Sequence, residues 1–210
     1  VGDENYNRHM DGLQRCIDMA LELDTNVVRI MSFRREMILF GSMGADHWVT
    51  STGAWDKLLK LLELPVKLAE EKNINLVLET GNNAMVPSAW LGKKLINDIG
   101  SDRLRILWDP ANSLYANEPT YPDGWKALKD GYIGHFHIKD AKVNMAHAHV
   151  EFCEMGKGDM APYLEPLAND MKLNNYNGFI SLESVYRPDG GSFEDGYRAS
   201  LPKFKELFDW

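Results

Sequence analysis

The chain is poor in cysteine, with only Cys16 and Cys153 among 210 residues. Two thiols cannot build a disulfide framework, so the sequence points to a reducing compartment, and no motif supports a catalytic thiol. Positive charge is also in short supply: 31 acidic residues face 23 basic ones, for a net charge of −8. A nucleic-acid partner requires a basic face to meet its phosphates, which argues against that class. No apolar run approaches the roughly 20 residues a membrane span needs, and no secretion signal is visible. No dinucleotide fingerprint or phosphate loop follows any strand-like run. These absences predict a cytoplasmic protein with neither a membrane nor a nucleic-acid partner. The 44% of residues that are hydrophobic suffice for one large core.

Helix-like and strand-like stretches alternate. Asp3-Glu4-Asn5 cap a helix through about Leu23, with Met10, Leu13, Ile17, Ala20 and Leu21 at helical spacing. Residues 27–31 are rich in β-branched side chains and read as a strand. The mixed stretch 33–52 has the length of a lid over a site. Its Arg34-Arg35 pair is either a contact for an anionic substrate or a pair of solvated charges. Trp55, Leu58, Leu59, Leu62, Val66 and Ala69 form the stripe of a second helix, which Pro65 is expected to kink. Further strands are predicted at 74–79, 104–109, around 132–138 and at 178–183, with helices near Trp90, Trp125, Leu164 and from Phe193. His147, His149 and the Gly156-Lys157-Gly158-Asp159 turn fall in a polar loop. The alternation specifies an α/β fold with a parallel sheet and right-handed crossovers. A closed (β/α)8 TIM barrel takes eight strands and about 250 residues. Residues 1–210 therefore read as one domain supplying the C-terminal five βα units, with three more expected ahead of Val1.

Four strand-like runs close on an ionisable group: Leu76-Val77-Leu78-Glu79, Arg105-Ile106-Leu107-Trp108-Asp109, the run through Gly134-His135-Phe136-His137-Ile138-Lys139, and Phe179-Ile180-Ser181-Leu182-Glu183. In the third, alternation puts His135, His137 and Lys139 on one face and Phe136 and Ile138 on the other. A single acid after a strand is ordinarily its first solvated residue. Four such endings in succession point to one carboxylate-and-imidazole site at the C-terminal ends of a sheet.

These endings, extended to Leu78-Glu79-Thr80, Leu107-Trp108-Asp109-Pro110-Ala111-Asn112, Gly134-His135-Phe136-His137-Ile138-Lys139-Asp140 and Ser181-Leu182-Glu183, resemble the last four strand ends of the xylose isomerase-like TIM barrels. That family includes sugar and sugar-phosphate isomerases and epimerases, inosose dehydratases and the endonuclease IV repair enzymes. The resemblance runs the length of the chain. It implies one divalent ion, Mn²⁺, Mg²⁺ or Co²⁺ with Zn²⁺ also admissible, held by Glu79, Asp109, His137 and Glu183. Three carboxylates and an imidazole suit such an ion better than a thiolate-built structural zinc. The ion would chelate a carbonyl and its neighbouring hydroxyl and stabilise the enediolate left when a carbon-bound proton departs. Glu79 and Glu183 are implied as the catalytic acid and base on opposite faces of a carbohydrate substrate.

Asn112 is expected to hydrogen-bond substrate. Lys139 is expected either to bind a substrate oxygen or phosphate or to pair with a neighbouring acid. Arg187 can reach substrate from its loop, and His135 reads as a hydrogen-bonded core residue. The expected activity is therefore a metal-dependent isomerase or epimerase of a sugar, keto-sugar or sugar phosphate. An inosose dehydratase-like lyase is the alternative on the same site. A nuclease would recruit His147 and His149 for further metals, but it calls for histidine in place of Asn112 and for a basic surface. A non-catalytic sugar-binding barrel has no need of paired metal-binding glutamates. Self-association into a homo-oligomer is left open.

Overall fold

Strand and helix alternate along the chain as the hydrophobic periods dictate. The structure is a computed structural model and describes residues 3–34, 52–116, 118–147 and 149–210. Helix α1 (Asp3–Glu22) leads to β1 (Val27–Met31), α2 (Thr52–Lys72) to β2 (Asn75–Glu79), and α3 (Ala89–Ile99) to β3 (Leu104–Trp108). Two short helices, α4 (Pro110–Tyr115) and α5 (Trp125–Leu128), precede β4 (Ile133–Ile138). Strands β5 (Asp140–Asn144) and β6 (His149–Cys153), α6 (Ala161–Leu173), β7 (Ile180–Leu182) and α7 (Phe193–Phe208) complete the order.

The order β1-β2-β3-β4-β7, parallel throughout, forms the five-stranded arc of a (β/α) barrel, as the alternation predicts. Leu76, Leu78, Leu104, Ile106, Trp108, Phe136 and Ile138 point to the helices and are fully buried. Phe136 is the hub of this layer, with Trp108 at 5.5 Å, Trp125 at 6.4 Å and Tyr176 edge-on at 5.1 Å between ring centroids. Aromatic contacts of this kind add roughly 0.5–1.5 kcal/mol each beyond the area they bury.

Strands β3 and β4 do not stay in step. Ile106 pairs with Ile133, but Leu107 pairs with His135, so one extra residue is accommodated in β4. Gly134 is that residue: a Cβ there would lie 2.7 Å from Val77 Cγ1 and 2.9 Å from Arg105 Cβ. Only glycine fits so close an approach.

Helix α2 runs unbroken through Pro65. Proline has no N–H for the carbonyl four residues earlier, and that carbonyl, of Leu61, instead accepts a hydrogen bond from the Tyr6 hydroxyl at 2.9 Å. The long segment proposed as a lid, including Arg35, lies outside the described residues beyond Arg34. Among the described residues no helix is long and apolar enough to cross a membrane.

Two elements differ from the sequence reading. Residues 110–115, for which the sequence predicts no element, form α4, because Asp109 caps its N-terminus and Pro110 occupies its first turn. The stretch read as a polar loop contains the β5–β6 antiparallel hairpin, paired from Asp140–Cys153 to Asn144–His149. Its base is tied by the buried Asp140 carboxylate. Oδ1 accepts from the Ala141 and Met160 N–H groups at 2.8 and 3.0 Å, and Oδ2 from those of Gly156 and Gly158 at 2.9 and 3.0 Å.

Candidate active site

Side chains alternate across a strand, and parallel strands end at the same edge of a sheet. Strands β2, β3, β4 and β7 therefore deliver Glu79, Asp109, His137 and Glu183 to one face and one end of the arc. One ligand atom from each lies within 4.8 Å of the others. The His137 Nδ1 atom is 3.3 Å from Glu79 Oε1 and 3.3 Å from Glu183 Oε1. Lys139 Nζ, on the same face one step on, is 2.6 Å from Asp109 Oδ2 and 2.8 Å from Glu183 Oε2. The Arg29 guanidinium of β1 forms an ion pair with Glu79 Oε2. That contact lacks hydrogen-bond geometry, and Oε2 is buried without a hydrogen-bond partner.

Asp109 is placed by its neighbours in sequence. Its N–H donates to Thr80 Oγ1 at 3.2 Å. Its Oδ1 caps α4, accepting from Ala111 N–H at 3.1 Å and Asn112 N–H at 3.4 Å. The Asn112 amide donates to the Thr80 carbonyl at 2.7 Å and to Asp109 Oδ2 at 3.2 Å. Asn112, expected to face substrate, thus has its amide hydrogens engaged in holding Asp109.

Burial and charge work against each other here. Complete burial pushes the Asp109 carboxyl up to about 6, and the Lys139 ammonium only partly offsets it. Burial opposes a charged His137, but hydrogen bonds to Glu183 and Glu79 outweigh it and raise the imidazole to about 9. Burial also opposes the charge on Lys139, yet Asp109 and Glu183 hold the ammonium above the ordinary lysine range. For Glu183 burial is overcome by His137 and Lys139, and the carboxyl lies below the usual carboxylate range.

The remaining expected residues stand apart from this cluster. His135 is half-buried, with Nε2 at 2.9 Å from Ser181 Oγ and its ring stacked 6.5 Å from Phe179, in keeping with a hydrogen-bonded core histidine. Arg187 is exposed beyond β7. His147 and His149 are exposed on the hairpin, and neither joins the metal-capable cluster among the described residues. Sequence reasoning missed Arg29 and Thr80. Arg29 carried a signal, as a full charge inside a five-residue strand of otherwise apolar side chains. Thr80 stood only as the residue after Glu79 in the strand-end motif, and its contacts with Asp109 and Asn112 depend on the spacing between β2 and β3.

Comparison with known proteins agrees with this architecture. A family model described as the xylose isomerase-like TIM barrel matches residues 2–207. No curated protein matches the chain. Among solved structures, the 3-keto-D-glucoside 4-epimerase of E. coli is 18% identical at a TM-score of 0.67, over 95% of this chain and 72% of that one. A probable 3-DHS dehydratase from Bacillus anthracis is 13% identical at 0.67, over 98% and 72%. A xylose isomerase-like TIM barrel protein from Mycobacterium smegmatis in complex with magnesium is 15% identical at 0.66, over 100% and 70%. At these identities the likeness to solved structures is one of fold.

Proposed function

This chain belongs to the xylose isomerase-like TIM barrel family, and from that premise we propose that it is a divalent-metal-dependent isomerase or epimerase of a sugar, keto-sugar or sugar phosphate. The observation that carries the proposal is the convergence of Glu79, Asp109, His137 and Glu183 atoms within 4.8 Å. These residues would hold the ion, Mn²⁺, Mg²⁺, Co²⁺ or Zn²⁺, and two features fit it. The donor set is mostly hard oxygen. Glu79 Oε2 is buried with the Arg29 guanidinium beside it but no hydrogen bond, so it keeps a lone pair to offer. When bound, the ion supplies Lewis-acid polarisation of a substrate carbonyl.

The protein's own groups do the proton work. In this reading one of the two glutamates, Glu79 and Glu183, removes the proton on the carbon beside the carbonyl, and the other returns one from the opposite face. A base must lie within hydrogen-bond reach of the proton it takes, and both glutamates border the same space beside His137. Burial of Glu79 and Asp109 keeps water from competing for that proton. The Lys139 ammonium steadies Glu183. A lyase reading uses the same atoms and is the second choice, as one structural neighbour is described as a probable dehydratase.

The test is incubation with Mn²⁺ and a panel of ketoses, keto-glycosides and their phosphates in D₂O. Deuterium entering beside the carbonyl is the expected result. Loss of water with new enone absorbance would select the lyase. Tight Mn²⁺ binding with neither outcome across the panel would refute proton abstraction as the activity.

A further inference from the structure

On the metal reading above, the site must manage its own charge before an ion binds. A carboxylate offers about four acceptor positions, and four donors engage Asp109. They are the Ala111 and Asn112 N–H groups on Oδ1, and Asn112 Nδ2 and Lys139 Nζ on Oδ2. The two backbone donors cannot leave without unwinding the first turn of α4. The Asn112 amide is anchored at its other hydrogen by the Thr80 carbonyl. Lys139 alone sits on a flexible stem, and it alone carries a full charge. The same ammonium holds Glu183 Oε2, while Glu183 Oε1 faces His137. Lys139 is only 8% exposed, so its charge is committed to these two carboxylates rather than to solvent.

We propose that Lys139 is a tethered cation competing with the divalent ion for the oxygens of Asp109 and Glu183, so that its displacement is part of metal binding. In that role it keeps the carboxylates of Asp109 and Glu183 from repelling each other before an ion arrives. It also weakens the affinity of the site for the ion, because an ion must displace or share a buried positive charge. An ordinary supporting lysine would do the reverse. By ordering the ligands it would strengthen metal binding, and its loss would loosen the ion.

The experiment is calorimetric titration of MnCl₂ into chelator-treated wild-type protein and the K139M, K139Q and K139R variants, with melting of each before and after Mn²⁺. Removal of a single charge beside a divalent ion in a partly buried site is expected to tighten Mn²⁺ binding by about tenfold or more in K139M and K139Q. Both neutral variants should melt below wild type without Mn²⁺ and recover when it is added. K139R, which keeps the charge, should gain no affinity. Neutral variants that bind Mn²⁺ no more tightly than wild type overturn the proposal, as does an arginine variant that tightens equally. Failure of all four proteins to bind Mn²⁺ would instead remove the metal reading itself. Should the neutral variants not fold, wild type alone decides. The Lys139 side-chain NMR resonance should shift on saturation with Mg²⁺, and an unmoved resonance with Mg²⁺ bound overturns the proposal.

Discussion

Asp140 is the residue whose replacement should be felt most widely outside the site. Its two oxygens serve two classes of donor. Oδ1 takes the N–H groups of Ala141 and Met160, which are buried; Oδ2 takes those of Gly156 and Gly158, which are half-buried. In Asp140→Ala the two buried donors lose their partner at roughly 1–3 kcal/mol each, while water can reach the other two at less cost, giving about 4 kcal/mol in all. Asp140→Asn can keep an oxygen toward Ala141 and Met160 but turns an amide toward two glycine N–H groups, so about half that loss, ~2 kcal/mol, is expected. At roughly 2–4 °C per kcal/mol for a chain of this size, the alanine variant should melt about 12 °C lower and the asparagine variant about 6 °C lower. Guanidinium denaturation followed by tryptophan fluorescence measures the energies, and hydrogen exchange at amides 141, 156, 158 and 160 localises them. An alanine variant within about 1 kcal/mol of wild type, with those four amides still protected, would refute the account of Asp140 as the tie of the hairpin base.

Three further outcomes are expected. Glu79→Gln and Glu183→Gln should each abolish turnover at saturating Mn²⁺, since an amide offers the ion an oxygen but is no base near neutral pH. Asp109→Asn should regain activity as metal is raised, and equal recovery by both Gln variants would make the glutamates ligands only. Gly134→Ala should cost about 1–3 kcal/mol by overpacking, read from its melting temperature, with a neutral effect showing that Val77 and Arg105 give way freely. Tyr6→Phe should cost about 1 kcal/mol in wild type and less in a Pro65→Ala background, where the new N–H serves the Leu61 carbonyl; a double-mutant cycle without coupling would contradict this.

The parallel arc was legible because its strands are short apolar runs, and the cluster was legible because each run ends on a group too polar to be core. Of the two expectations for Lys139, the pairing with a neighbouring acid is present in the structure, with Asp109 and Glu183. The hairpin was not legible. Lys142, Asn144, His149 and Glu151 look like loop residues, and they pair across strands only because the backbone around Asp140 brings residue 153 back beside residue 140. Helix α4 could have been read from Asp109-Pro110, a cap followed by a first-turn proline. The second function of Asn112, bracing Asp109 through the Thr80 carbonyl, depends on the register of β2 against β3 and has no trace in local sequence.

That dependence on register reaches its sharpest form in β4. Trp108 faces the helices and Asp109 faces the cluster, so β4 must present Phe136 beside the first and His137 toward the second. Before the extra residue, Ile106 is opposite Ile133; carried on without it, Leu107 would meet Gly134 and Trp108 would meet His135. Alternation would then send both histidines into the apolar layer and Phe136 into the site, because a one-residue slip exchanges the two faces of a strand. The insertion at Gly134 reverses the phase and brings Phe136 opposite Trp108. The position is glycine because the inserted residue lies against Val77 and Arg105, where no side chain fits. A single residue without a side chain, at the start of β4, thus decides which half of that strand builds the core and which half meets Glu79, Asp109 and Glu183.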